Sequence, residues 1–111
     1  MDIVWSSQAD AILSGGRYLE DIGVRNWGFN QQQALIALTR LEIARIAVLG
    51  GDVYKETAGA IRHTLDNWHV ETIAGEPNDV FVARSIARTR AYVSAYRSAD
   101  AILFVIVPKV A

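Results

Sequence analysis

The stretch Ala101-Ile102-Leu103-Phe104-Val105-Ile106-Val107 is apolar at every position, and nothing else in the sequence constrains the fold as strongly. Successive side chains of a β-strand point to opposite faces, so a strand with one wet face alternates apolar and polar residues. A run without alternation needs cover on both faces, which places it in the middle of a sheet. It is far shorter than the ~20 residues of a membrane-spanning helix. The rest of the chain has to supply its neighbours.

Two long helices are predicted. Asn30 is a good N-cap, and Gln31 to Arg45 behind it is rich in strong helix formers and free of glycine and proline. Leu35, Leu38 and Leu41, with Ala34, Ala37 and Ala44, spread over an apolar arc wide enough to bury most of its circumference. The turn Gly75-Glu76-Pro77-Asn78-Asp79 precedes the second helix, Val80 to Tyr96. Here Val82, Ile86, Thr89, Val93 and Tyr96 share one face, with Arg84 and Arg88 opposite. A shorter helix spans Ser6 to Leu13, capped by Ser6 or Ser7 with Asp10 completing a capping box, and stops at Ser14-Gly15-Gly16. Arg17 to Ile22 has room for one or two helical turns closed by Gly23.

Val24 to Phe29 is short and alternating and reads as an edge strand. Ile46 to Leu49 reads as a buried strand, continued to Lys55 through Gly50-Gly51. Glu56-Thr57-Ala58-Gly59 is the expected hairpin loop. The return strand runs from Ile61 to Val70, with a bulge or bend at Asp66-Asn67. The order helix, strand, helix, strand, hairpin, strand, helix, strand predicts an α+β fold. Its expected form is a mixed four-stranded sheet with helices packed on one face, in a ferredoxin-like, split βαβ arrangement plus a short N-terminal helix.

A chain of 111 residues is the size of one domain and can bury roughly two-thirds of the surface its unfolded form exposes. It contains no cysteine, which excludes disulfides, a thiolate nucleophile and sulfur-ligated zinc and fits a reducing compartment. The start, Met1-Asp2-Ile3-Val4-Trp5, lacks the basic and apolar regions of a signal peptide. The expected location is the cytoplasm. Net charge is −1, from 11 basic and 12 acidic residues, without the basic excess of a nucleic-acid binder.

The residues that could carry chemistry fail to assemble into a known site. A serine triad needs a histidine with a free ring nitrogen. The histidines are His63 and His69; on a regular strand they lie about 20 Å apart on one face, too far for a relay or shared metal unless a bulge intervenes. No G-x-S-x-G motif is present. Asp52, Asp66 and Glu71 surround the hairpin but do not form a D-x-D-x-D-G loop. Gly50-Gly51 follows a strand and precedes no helix, so it reads as a bulge or a close backbone approach, not a phosphate cradle. Arg84, Arg88, Arg90 and Arg97 have only Tyr92 interleaved, short of a stacking surface for nucleic acid, and read as solvated. Trp27 and Trp68 each follow an asparagine, and both core and interface remain open for them. No catalytic group, metal or cofactor is expected.

The block Val48-Leu49-Gly50-Gly51-Asp52-Val53-Tyr54, followed after the hairpin by Asp66-Asn67-Trp68, resembles the bacterial immunity protein forty family. The upstream Gly23-Val24-Arg25-Asn26-Trp27, the alanine–leucine helix, the late helix with aromatic residues and the closing apolar strand also look like that family. The resemblance implies a small cytosolic protein of a polymorphic toxin system. Such a protein binds its cognate toxin, acts by occlusion and needs no catalytic group. It carries no residue-level contact. The hairpin region, with Asp52, Tyr54, Asp66 and Trp68, is the expected partner-binding surface. Within it, the Asp66 carboxylate is expected to accept from backbone N–H groups two residues on and hold Trp68 against the sheet. Asp52, just past two glycines, is expected to reach solvent. Two other classes stay open: a small-ligand or regulatory domain with Asp52 and Trp68 lining a pocket, and a small enzyme using Asp52 or Asp66 as an acid–base group. The oligomeric state is not legible.

Overall fold

The computed structural model of the protein describes residues 2–110; Met1, where the stretch read above as no signal peptide begins, lies outside them. The elements are α1 (Ser7–Leu13), β1 (Arg17–Tyr18), β2 (Trp27–Phe29), α2 (Gln31–Ile43), β3 (Val48–Thr57), β4 (Ala60–His69), α3 (Asn78–Ala95) and β5 (Ala101–Pro108). A 3-10 turn, Glu20–Ile22, sits between β1 and β2. The sheet order is β1-β2-β5-β3-β4, and every neighbouring pair is antiparallel. The α+β class agrees with the sequence. The sheet does not: it has five antiparallel strands among the described residues, not four mixed ones.

The apolar run is β5, in the middle of the sheet. Phe104 and Ile106 enter the main core with Leu38 and Leu41 of α2 and Ile86 and Val93 of α3. Val105, pointing the other way, is buried too. Its cover comes from the segment after β1. Gly28 pairs with Val105, and a Cβ at Gly28 would meet Leu19 Cδ1 at 3.2 Å and Leu103 Cβ at 3.1 Å. The fully buried Leu19 therefore closes a small second core on the far face.

The ferredoxin-like expectation holds only in outline. β2 and β3, joined through α2, are parallel to one another with β5 inserted between them; β4 and β5, joined through α3, have β3 between them. Both crossovers are thus split. The difference lies at the N-terminal end, where Arg17–Tyr18 is a strand and not the start of a helix. That extra strand moves β2 inside the sheet, and all three of its residues are buried, so it is not an edge. The 3-10 turn that follows ends at Gly23, in the left-handed conformation expected of it. Buried Asn26 ties this region to the centre: its Nδ2 donates to the Ile106 carbonyl at 2.8 Å and its Oδ1 accepts from the Trp27 N–H at 2.8 Å.

The helix ends follow local chemistry. Asn30 accepts from the Gln33 N–H while the Gln33 side chain accepts from the Asn30 N–H, a complete capping box. α2 stops two residues before the predicted Arg45. There Arg45 takes a positive φ, and the N–H groups of Arg45 and Ile46 donate to the carbonyls of Glu42 and Leu41. At α1, Ser6 is the cap. Asp10 completes no capping box; its carboxylate reaches further back and accepts from the N–H groups of Val4 and Trp5 at 2.7 and 3.0 Å. No helix of the described residues is long and apolar enough to cross a membrane.

Candidate functional site

The hairpin β3–β4 is closed by Ala58 and Gly59, both at positive φ, the signature of a two-residue type I′ turn. The predicted loop thus shrinks by two, and Glu56 and Thr57 pair with Ile61 and Ala60. Regular pairing runs up to Tyr54↔His63 and resumes at Asp52↔Asn67. Between these pairs Val53 alone faces Thr64, Leu65 and Asp66, so β4 carries a bulge with two extra residues, beside the predicted Asp66-Asn67. An even excess preserves the alternation of faces on either side. Trp68 and Gly51 consequently stay on the helix face, while Asp52, Tyr54, His63 and Asn67 lie on the far face.

Trp68 is a core residue at 9% exposure. Its Nε1–H donates to Thr89 Oγ1 on α3 at 3.0 Å. The indole stacks on Tyr92 with centroids 4.9 Å apart and meets Phe104 edge-on at 6.3 Å. It lies directly over Gly51: a Cβ there would run into the Trp68 ring and the Val105 carbonyl. This close approach is what the second glycine of Gly50-Gly51 permits. Trp27 is core as well, against Tyr18 at 5.1 Å.

Asp52 is half-buried and does not simply project into solvent. Its Oδ1 is 3.0 Å from His63 Nε2, and the other imidazole nitrogen, Nδ1, accepts from the Leu65 N–H at 2.7 Å. An amide N–H can only donate, so Nδ1 is unprotonated and the neutral ring carries its proton on Nε2, donating to Asp52. Tyr54 packs its ring against His63 at 4.8 Å, nearly perpendicular. Burial, and secondarily the Asp52 charge, push the Tyr54 hydroxyl above the usual tyrosine range.

Asp66 turns the other way. Its Oδ2 accepts from the Tyr96 hydroxyl at 2.6 Å, tying the bulge to the end of α3. The backbone bonds expected of Asp66 are supplied instead by Thr64, whose Oγ1 accepts from the Asp66 N–H at 3.0 Å and donates to the Val53 carbonyl at 2.8 Å. The hydrogen bond to Asp66, then burial, raise the Tyr96 pKa; burial, then the Asp66 charge, raise that of Tyr92. Between them stands Leu65, at φ +74 and 83% exposed. A non-glycine residue held in that region costs of order 1–3 kcal/mol.

The four residues singled out from sequence therefore divide. Asp52 and Tyr54 share the far face, Asp66 sits on the edge strand with its carboxylate toward α3, and Trp68 lies beneath. Thr64 and Leu65 were missed, and His63 was weighed only for catalysis or metal binding, because only the register of the bulge shows what they hold. Asp52, Asp66 and Glu71 do not converge: each faces its own partner, His63, Tyr96 and, at 3.1 Å, His69. Among the described residues no three histidine or carboxylate side chains gather as metal ligands would. Arg84, read as solvated, instead grips Glu76 through two hydrogen bonds of 2.8 and 2.9 Å and the Glu71 carbonyl at 2.7 Å. It pins the loop after β4 and holds the Glu76 carboxyl below its usual range.

The sequence pattern of the Immunity protein 40 family matches residues 18–108. The chain belongs to this family. The family match runs from the second residue of β1 to the last of β5 and leaves α1 outside. It therefore takes in the bulged hairpin, the tyrosines of α3 and nearly the whole sheet. No curated protein and no solved structure matches the chain.

Proposed function

We propose that the protein is the immunity partner of a bacterial toxin domain, which it binds and neutralises by occlusion in the cytoplasm. It works as one domain, without cofactor, metal, nucleic acid or membrane. Membership of the family across residues 18–108 carries the reading. The proposed binding surface is the far face and edge of the β3–β4 hairpin. Asp52, Tyr54 and Asp66 reach the toxin there, and Trp68 supports them from beneath.

A non-catalytic role agrees with the state of His63. Its Nε2 faces Asp52 and its Nδ1 accepts from the Leu65 N–H, so the ring has no nitrogen to spare for a substrate proton. The imidazole shapes the hairpin. Asp66, the other acid–base candidate, is likewise engaged with the Tyr96 hydroxyl.

Co-expression with the toxin domain encoded beside its gene tests the proposal. Rescue of growth is expected, with a complex burying on the order of 1,600 Å². Continued killing with both proteins soluble defeats the reading for that pair. One observation favours the small-ligand alternative: a hollow of about 370 Å³ is lined by Asp52, Asn67, Trp68, His69 and Gly50-Gly51. Asp52 and Asn67 of that lining belong to the proposed binding face. A metabolite that raises the melting temperature and competes with the toxin would show that the hollow holds a ligand.

A further inference from the structure

We infer that Leu65 is the apolar anchor of the toxin interface, seated in a toxin pocket whose rim carries lysine or arginine; this rests on the immunity reading above. Among the described residues Leu65 is the most exposed large apolar side chain, at 83% against 78% for Ile43 on α2. Its backbone is also unusual. Three described residues other than glycine have positive φ: Arg45, Ala58 and Leu65. Arg45 ends α2 and Ala58 makes the hairpin turn, so at both the local chain path demands it. The bend at residue 65 would form with less strain from glycine or asparagine.

Protection of the sheet edge does not account for a leucine here. β4 is an outer strand, and a bulge on such a strand discourages pairing with other chains, usually with charge beside it. An exposed leucine at the apex invites contact instead. The apex is also held in place. The Leu65 N–H donates to His63 Nδ1, the Leu65 carbonyl accepts from Asn67 Nδ2, and Thr64 bridges Val53 and Asp66. A backbone fixed before binding leaves only the side-chain rotamer to be ordered on docking.

The flanking charge specifies the rim. Asp66 accepts from Tyr96 through Oδ2 and Asp52 faces His63 through Oδ1. The second oxygen of each meets no donor among the described residues. Lys55 and Arg62 pair with one another nearer the turn, where Glu56 meets Arg17. The carboxylates adjoining Leu65 are thus the ones available to partner cations.

The test compares Leu65→Asn, Asp66→Asn and the distant control Ile43→Asn, each in the full chain. Thermal melts of the free protein are combined with calorimetric titration against the toxin domain encoded beside its gene. Asparagine tolerates the left-handed backbone, so Leu65→Asn should melt no lower than wild type yet bind roughly 10- to 100-fold more weakly. Asp66→Asn keeps an acceptor for Tyr96 and should lose several-fold affinity at low salt, with the difference shrinking at high salt. Ile43→Asn should bind like wild type. A wild-type complex that Leu65→Asn leaves unchanged overturns the anchor and spares the immunity reading. A marked drop in melting temperature in Leu65→Asn also overturns it, because Leu65 would then serve the fold. Failure of the wild-type protein to bind defeats both.

Discussion

The two faces of the sheet are made by the same strands and are finished to different degrees. Toward the helices β3, β4 and β5 present Val53, Trp68, Phe104 and Ile106, all in the core, with the one polar atom of Trp68 bonded to Thr89. Away from the helices the same strands present Asp52, Tyr54, His63 and Leu103, all partly exposed. Only the β1–β2 end of that face is closed, by Leu19 over Gly28. Groups of the first kind are satisfied inside the chain and make stability. On the second face Asp52 is held by His63 through one carboxylate oxygen and keeps the other unbonded among the described residues, which is what the proposed recognition surface needs. The bulge in β4 joins the two, since it holds Asp66 against Tyr96 while turning Leu65 outward.

The largest effect expected from breaking this contrast is on the helix side. Trp68→Ala empties a buried aromatic site and strips Thr89 of its donor, and should cost about 3–5 kcal/mol in denaturant melts. Retention of wild-type stability with loss of toxin binding would mean that the indole belongs to the recognition surface. On the far face, Asp52→Asn keeps an oxygen for His63 Nε2–H and should change stability by less than about 1 kcal/mol. It should weaken binding, most clearly at low salt, because the charge is what the partner would meet. A stability loss as large as that of Trp68→Ala would erase the distinction between the faces.

The smallest effects are those of pH, and they separate two parts of the structure. Tyr54, Tyr92 and Tyr96 have raised pKa values in the fold. Their contribution is complete below the unfolded tyrosine value of about 10 and is lost as pH rises through the higher folded values. Glu76 has a lowered pKa; its contribution is present above the ordinary carboxylate value and is lost as pH falls through the folded one. Alkali should thus loosen the bulge first and acid the loop held by Arg84. Hydrogen exchange at the two pH extremes checks this, and loosening in the reverse order contradicts it.

Much of the fold was legible because the relevant forces act within a few residues. The unalternating run of β5, the Asn30 cap, a hairpin loop ending at Gly59 and the irregularity near Asp66 are all written in short windows. The two-residue β1 carries no periodic signal, and its absence from the sequence reading made β2 look like an edge. In the candidate site, Asp52 and Trp68 were noticed through residue blocks that resemble the family. Their surroundings were not, because these depend on which strand lies opposite and in what register.

The sequence by itself determined the α+β class, the central place of β5 and membership of the Immunity protein 40 family across residues 18–108. Only the tertiary structure decided that Trp68 is core, that His63 has both ring nitrogens engaged and that Asp66 bonds Tyr96, 30 positions away. Capping and turn formation are settled by neighbouring backbone groups. The partner of a side chain on a bulged edge strand is settled by long-range packing, and two extra residues in β4 re-aim every group between its regular pairs.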